Sequence, residues 1–240
     1  MELAFGSENI LRGIDLSIRK GERIVLVGPS GAGKSLILKI LAGLILPTRG
    51  KVFVEGENFH QVPSVRQQQL RLKMGMLFQK NALFDSLSNA ENIAFPLREV
   101  RALGEAEIDS IVNRFLEAVG IPHAKLLFPD EISGGMQKRL GIARAMALDP
   151  EIVFYDDPTA GLDPITSRKI IDLIIELQEK KQSTVVAITN DMNRAYQLAH
   201  RIFIVLDGQL VETGSPQQTK VHKDPRVLQF VRGLSQGPLS

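Results

Sequence analysis

Cysteine is absent from the 240 residues, so neither a disulfide nor a thiolate metal site can form. The four histidines, His60, His123, His200 and His222, fall at no metal-ligand spacing and read as ordinary surface or core residues. No apolar run approaches the roughly 18 residues that a membrane-spanning helix needs. The N-terminus also lacks a charged stretch followed by an apolar one. These absences predict a cytoplasmic chain whose membrane association runs through a partner. Net charge is small as well: 29 Lys and Arg against 27 Asp and Glu leave +2, which gives no electrostatic case for a nucleic-acid partner. Repeats and low-complexity stretches are missing.

What is present begins with enough apolar sequence, 44%, to bury a core in one domain with lobes. Its organising stretch is Gly28, Pro29, Ser30, Gly31, Ala32, Gly33, Lys34 and Ser35, which matches the phosphate-loop pattern G-x-x-x-x-G-K-[ST] at every fixed position. The glycines let the backbone turn successive N–H groups onto phosphate oxygens. Lys34 adds a charge at the β- and γ-phosphates, and the Ser35 hydroxyl suits Mg²⁺. An apolar run at 24–27 enters the loop, and Leu36, Ile37, Leu38, Ile40 and Leu41 leave it as a helix whose N-terminus faces the anion. A Gly-rich turn capping an ordinary helix is the bland alternative. The full match in a strand–loop–helix context favours ATP.

In chain order, Ile10, Leu11, Ile14, Leu16 and Ile18 predict an early strand pair reaching Lys20 and Gly21, after a short polar turn beyond Phe5 and Gly6. Residues 51–55 alternate as a half-buried strand, and 57–72 read as loop plus surface helix. The run at 74–78 predicts a buried strand that delivers Gln79. Pro96 is expected to break any helix in 81–96. Residues 106–119 carry helical spacing stopped by Gly120, so an inserted helical arm is expected. Ser133 ahead of Gly134 and Gly135 is a plausible N-cap and a second site for phosphate. The strand at 152–155 ends in Asp156 and Asp157, and a carboxylate at such a strand end beside a phosphate loop holds Mg²⁺ through water, which makes Asp156 the metal-side acid; a solvated strand end is the bland alternative. A helix over 165–181, a strand over 184–189 leading to Asn190, and a hairpin over 202–212 follow, then a polar tail anchored by Val227, Leu228, Phe230 and Val231. Strands alternating with helices predict an α/β fold with a mostly parallel sheet and the candidate residues at one edge.

As a set these stretches resemble the nucleotide-binding subunit of ABC transporters, over nearly the whole chain. Residues 28–35 stand as Walker A, Gln79 as the Q-loop, 132–136 (ISGGM) as the signature, 152–156 as Walker B, 160–163 as the D-loop, and Asn190 as the switch. Phe5 takes the position that stacks on adenine. The resemblance implies a P-loop ABC ATPase core with an N-terminal antiparallel β subdomain and an inserted helical arm. Its expected divisions are core at about 1–85 and 143–220, helical subdomain at about 86–142 and tail at about 221–240. It also implies a homodimer that sandwiches two ATPs, with Ser133, Gly134, Gly135 and Asp163 of one chain at the ATP held by the other. Mg²⁺ would be held by Ser35, Gln79 and Asp156, and catalysis carried by Asp157, Asn190, Gln79 and Lys34.

Within that family the chain looks like the ATPases of MCE-type (Mla-like) phospholipid transporters, through residues 74–84, 94–99, Met136 and 224–233. The implied partners are an integral-membrane permease, an MCE-domain lipid carrier and a small STAS-domain protein, at the cytoplasmic face of the inner membrane. Two departures stand out. The family usually has Glu where this chain has Asp157, and His where it has Asn190, which implies slow hydrolysis. Alternatives are a weakened module that assembles a complex and an importer ATPase for another substrate. Soluble ABC proteins of translation or DNA repair need fused cassettes or long insertions, for which this chain has no room.

Overall fold

The computed structural model describes residues 1–6 and 8–239. In chain order the elements are β1 (Leu3–Phe5), β2 (Glu8–Leu11), β3 (Arg23–Val27), α1 (Lys34–Leu41), β4 (Phe53–Val54), β5 (Glu57–Asn58), α2 (Ser64–Leu72), β6 (Met74–Leu77), α3 (Asn89–Val100) and α4 (Glu105–Ala118). Then come α5 (Gly134–Met146), β7 (Ile152–Asp156), α6 (Pro164–Lys181), β8 (Thr184–Ile188), α7 (Met192–Leu198), β9 (Arg201–Leu206), β10 (Gln209–Gly214), α8 (Pro216–Lys220) and α9 (Pro225–Arg232). They fall into two compact units, Met1–Arg71 with Thr184–Ser240, and Leu72–Ser183.

In the first unit β3 lies between β8 and β9, parallel to both, and β10 closes the edge antiparallel to β9. All of Ile24, Val25, Leu26 and Val27 are fully buried, because a central parallel strand has no solvent face. β1 and β2 form a separate antiparallel pair. The strand pair therefore comes earlier than its apolar residues predict: Ile14, Leu16 and Ile18 lie in no strand, although Ile14 is buried. The polar turn expected between β1 and β2 includes Ser7, which lies outside the described residues. The strand expected at 51–55 shrinks to β4, paired with β5 across Glu55 and Gly56, both at positive φ. The tail is not merely polar chain but two helices. Ser215 and Gln218 cap α8 reciprocally, Asp224 caps α9, and each helix starts with Pro.

In the second unit β6 and β7 are parallel neighbours, and α3, α4, α5 and α6 belong to the same body. Here Pro96 does not break its helix; α3 runs through it to Val100. An interior proline costs about 3 kcal/mol. Burial of an Ile or Leu side chain returns about 1.5–3 kcal/mol each, and Ile93 and Leu97 flank Pro96 fully buried. Packing outweighs the local rule. The arm helix α4 matches its spacing, with Ile108, Val112, Phe115 and Leu116 buried and Gly120 at φ 73° beyond its end. A clamp of Arg98 to Glu91 and Glu105 ties α3 to α4.

Candidate nucleotide site

The phosphate loop leaves β3 at Val27 and enters α1 at Lys34, with Gly28, Gly31 and Gly33 at φ 145°, 80° and 95°. A Cβ at Gly28 would collide with the carbonyl of Val205 on β9, so only glycine lets the loop lie against that strand. The Lys34 ammonium, nearly buried, donates to the carbonyls of Gly28 and Pro29, each at 2.8 Å. This closes the loop on itself. A loop of left-handed residues ahead of a helix N-terminus is a concavity of backbone N–H groups suited to an anion. Pro29, Ser30 and Gly31 are exposed, Ala32 and Gly33 half-buried, and Ser35 sits half-buried in the first turn of α1.

The same unit carries Asn190 and Phe5. β8 runs parallel to β3 with Ile188 beside Leu26, so exposed Asn190 and the loop leave the sheet at one edge. Its neighbour Asp191 caps α7, accepting from the N–H groups of Asn193 and Arg194. Phe5 ends β1 with 57% of its surface exposed, and Leu11 of the paired strand β2 lies beside Gly33.

The second unit holds the remaining candidates. β6 and β7, in register with Leu77 beside Tyr155, deliver exposed Gln79 and the acid pair to one edge. Asp156 is buried, and half-buried Asp157 sits at φ 48°, a left-handed conformation that Asp tolerates better than most residues. Exposed Ser133 caps α5, its Oγ accepting the Met136 N–H at 3.3 Å; Gly134 is exposed and Gly135 half-buried beside Thr166. Asp163 caps α6 by accepting from the N–H groups of Ile165 and Thr166 at 2.9 and 3.0 Å. A hydrogen bond from the Thr166 side chain, then these backbone N–H groups, hold its carboxyl below the ordinary range.

Three further residues of this unit have no sequence signal. Lys138 of α5, buried, donates to the carbonyl of Gln79 at 2.6 Å. Burial pulls its ammonium below the ordinary lysine range, against which Asp157 and then Asp156 push back. Arg144, also on α5, donates to the carbonyls of Asn81 and Ala82 at 2.8 and 2.7 Å. Asn92 of α3 bonds both peptide groups of Phe84.

Among the described residues no group of three or more His, Cys, Asp or Glu side chains could hold a metal ion. The donors at Ser35, Gln79 and Asp156 are hydroxyl, amide and carboxylate oxygens. Oxygen donors of these kinds are the ones Mg²⁺ prefers, since it takes one or two carboxylates together with substrate phosphates and water. No helix among the described residues is long and apolar enough to cross a membrane.

A family model for ABC transporters matches residues 11–160. The MlaF ATP-binding protein of an intermembrane phospholipid transport system in Haemophilus influenzae is 37% identical over 234 residues, 98% of this chain and 89% of that protein. A probable ribonucleotide transport ATP-binding protein, mkl, of Mycobacterium leprae is 38% identical over 98% of this chain and 68% of that protein. Among solved structures, the dimeric ATP-binding cassette MJ0796 in a post-hydrolysis state with ADP and Pi superposes with a TM-score of 0.80 at 32% identity, over 89% of this chain and 94% of that one.

Proposed function

The chain belongs to the ABC transporter family, and on that premise we propose that it is the ATP-binding subunit of a phospholipid transporter, working as a homodimer on a membrane permease. The observation that carries the reading is the glycine loop closed by the buried Lys34 ammonium at the head of α1. An arriving triphosphate offers Lys34 stronger, charged acceptors than two carbonyls, so the lysine exchanges one set for the other. Phe5 stacks on the base. Ser35, Gln79 and Asp156 would hold Mg²⁺, which would neutralise charge on the phosphates. Asp157 orients the attacking water, and Asn190 donates to the γ-phosphate.

Ser133, Gly134 and Gly135, with Asp163, serve the ATP of the other protomer. Support comes from the exposure of Ser133 and Gly134 at the start of α5, where helix amides are open to an anion. By its resemblance to MCE-type phospholipid transporters, an MCE-domain lipid carrier and a small STAS-domain protein complete the complex, with the chain peripheral on the cytoplasmic face of the inner membrane. The mkl likeness, close in identity, keeps a ribonucleotide cargo as the second reading.

Sedimentation of Asp157→Asn with ATP tests the dimer. ATP-dependent dimers that disappear in an added Ser133→Arg change are expected, since an Arg side chain would fill the γ-phosphate's place. Monomers at saturating ATP would overturn it. Transfer of labelled phospholipid from vesicles by the purified complex, against uptake of labelled ribonucleotide, decides the cargo.

A further inference from the structure

We propose that Gly208, in the turn from β9 to β10, is a positioning residue for the base half of the nucleotide site: it seats β2, and through it Phe5, against the phosphate loop. The inference rests on the reading of Phe5 as the residue that stacks on the base.

Asp207 and Gly208 sit at φ 50° and 73°, the tight hairpin turn that Asp-Gly favours. The turn alone would account for a glycine, but the packing makes a second demand. A Cβ on Gly208 would stand 2.2 Å from the carbonyl oxygen of Ile10 on β2, and the Gly208 carbonyl accepts the Arg12 N–H at 2.7 Å. Backbone lies on backbone here, so no side chain can swing aside to relieve a collision. The end of β2 also meets the phosphate loop: a Cβ on Gly33 would lie 2.7 Å from Leu11 Cδ2 and 3.6 Å from Ile10 Cγ2. β9 completes the circuit, because its Val205 carbonyl lies against Gly28 at the start of the loop. Loop, hairpin and β2 thus touch one another in turn, all within the unit of Met1–Arg71 and Thr184–Ser240.

The consequence is a split between the two halves of the site that a general loss of stability would not give. β2 pairs Leu11 with Leu3 and Glu8 with Phe5, so the ring is carried about 7 Å along β1 from the contact with the loop. β1 and β2 form a sheet of two strands, whereas β9 is buried from Ile202 to Leu206. A side chain at 208 therefore displaces β2 rather than β9. The loop does not need β2 for its closure, which Lys34 provides through the carbonyls of Gly28 and Pro29. The ring moves while the phosphate cradle stays closed.

The test is calorimetry on the full chain, with ATP and inorganic tripolyphosphate as the two probes, each with Mg²⁺. Gly208→Asn adds the Cβ while keeping a left-handed conformation that Asn tolerates. It should bind ATP about 5- to 150-fold more weakly, the worth of one base–aromatic stack, and tripolyphosphate as the wild type does. Arg12→Pro removes the N–H that Gly208 accepts and should shift the affinities in the same way by a smaller factor. Arg12→Ala keeps that N–H, Asp207→Asn keeps the turn, and both should bind the two probes normally. Should Gly208→Asn misfold and lose both probes, Arg12→Pro decides: weakening confined to ATP upholds the proposal, and equal weakening of both probes, or of neither, overturns it. Phe5→Ala separates the two layers. It should weaken ATP alone, and if it binds ATP normally the stacking reading fails and the proposal with it. If Phe5→Ala weakens ATP while Gly208→Asn binds both probes normally, stacking stands and the positioning role of Gly208 falls.

Discussion

Asn92 holds Phe84 as a neighbouring strand would, its Oδ1 accepting the Phe84 N–H at 2.9 Å and its Nδ2 donating to the Phe84 carbonyl at 3.0 Å. With its backbone fixed, the ring stands at the surface against Phe95, centroids 4.8 Å apart and each residue 41% exposed, with Arg144 over its face. A rigid aromatic pair loses little entropy when a partner covers it. We expect the Phe84→Asp, Phe95→Asp double variant to lose co-purification with the permease while its melting temperature moves by only a few degrees. Retained membrane association would remove this pair as the docking surface.

Asn92 itself is fully buried, and its Nδ2 also serves the carbonyls of Leu87 and Ser88. Asn92→Leu leaves several polar groups without partners, each at a cost of about 1–3 kcal/mol. Urea denaturation should show a loss of about 2 kcal/mol or more, whereas a change at neighbouring, exposed Glu99 should show almost none.

For Lys34→Ala the expected loss is in nucleotide affinity. A charged hydrogen-bond donor is worth about 1.5–3 kcal/mol, hence roughly 10- to 150-fold weaker ATP binding by calorimetry. Turnover should fall below detection. Wild-type affinity in this variant would contradict the phosphate-loop assignment.

The parts of the site that were legible in the sequence are those whose chemistry needs a contiguous run. Residues 28–35 carry loop, cation and helix start together, and Ser133 caps α5 by the local rule that predicts it. The residues without a sequence signal act at long range on backbone. Lys138 and Arg144 meet carbonyls 59, 62 and 63 residues away, and nothing in a carbonyl's own residue type announces it as a partner. Pro96 misleads for the opposite reason, since a strong local signal loses to burial of Ile93 and Leu97. The tail helices are too short, at 5 and 8 residues, for periodicity to emerge. Their caps at Ser215 and Asp224 were the readable signal.

One of those caps makes a pH prediction. The Arg226 side chain, then the Arg226 N–H, holds the Asp224 carboxyl at about 2, against an ordinary value of 3.8. A carboxyl lowered on folding adds stability that is complete above its unfolded value and fades as pH falls through the folded one. Exchange protection of α9 should therefore persist down to about pH 4 and weaken between about pH 4 and pH 2. Asp224→Asn keeps a cap but loses the ion pair, so its protection should be flatter over that window.

The last prediction concerns Asp157 and Asn190, in different units of the chain and both in the proposed chemistry. An acid one methylene shorter than the family's Glu draws its carboxylate back by about 1 Å, a misplacement that can cost on the order of 100-fold in rate. Its backbone offers a counterweight. Asp157 sits at φ 48°, and a Glu forced into that left-handed conformation loses about 1–2 kcal/mol that Asp partly avoids by local hydrogen bonding. Asn190 can donate to the γ-phosphate but lacks an imidazole's reach and its ability to carry a proton. Both losses fall on one transition state, so they need not add. Steady-state ATPase in the complete transporter should be slow in the wild type and rise several-fold in the Asp157→Glu, Asn190→His double variant. Asp157→Glu alone should melt earlier than wild type because of the backbone strain. A wild-type rate already typical of transporters, lowered by both changes, would mean that the left-handed backbone at 157 has already brought the shorter acid to the water.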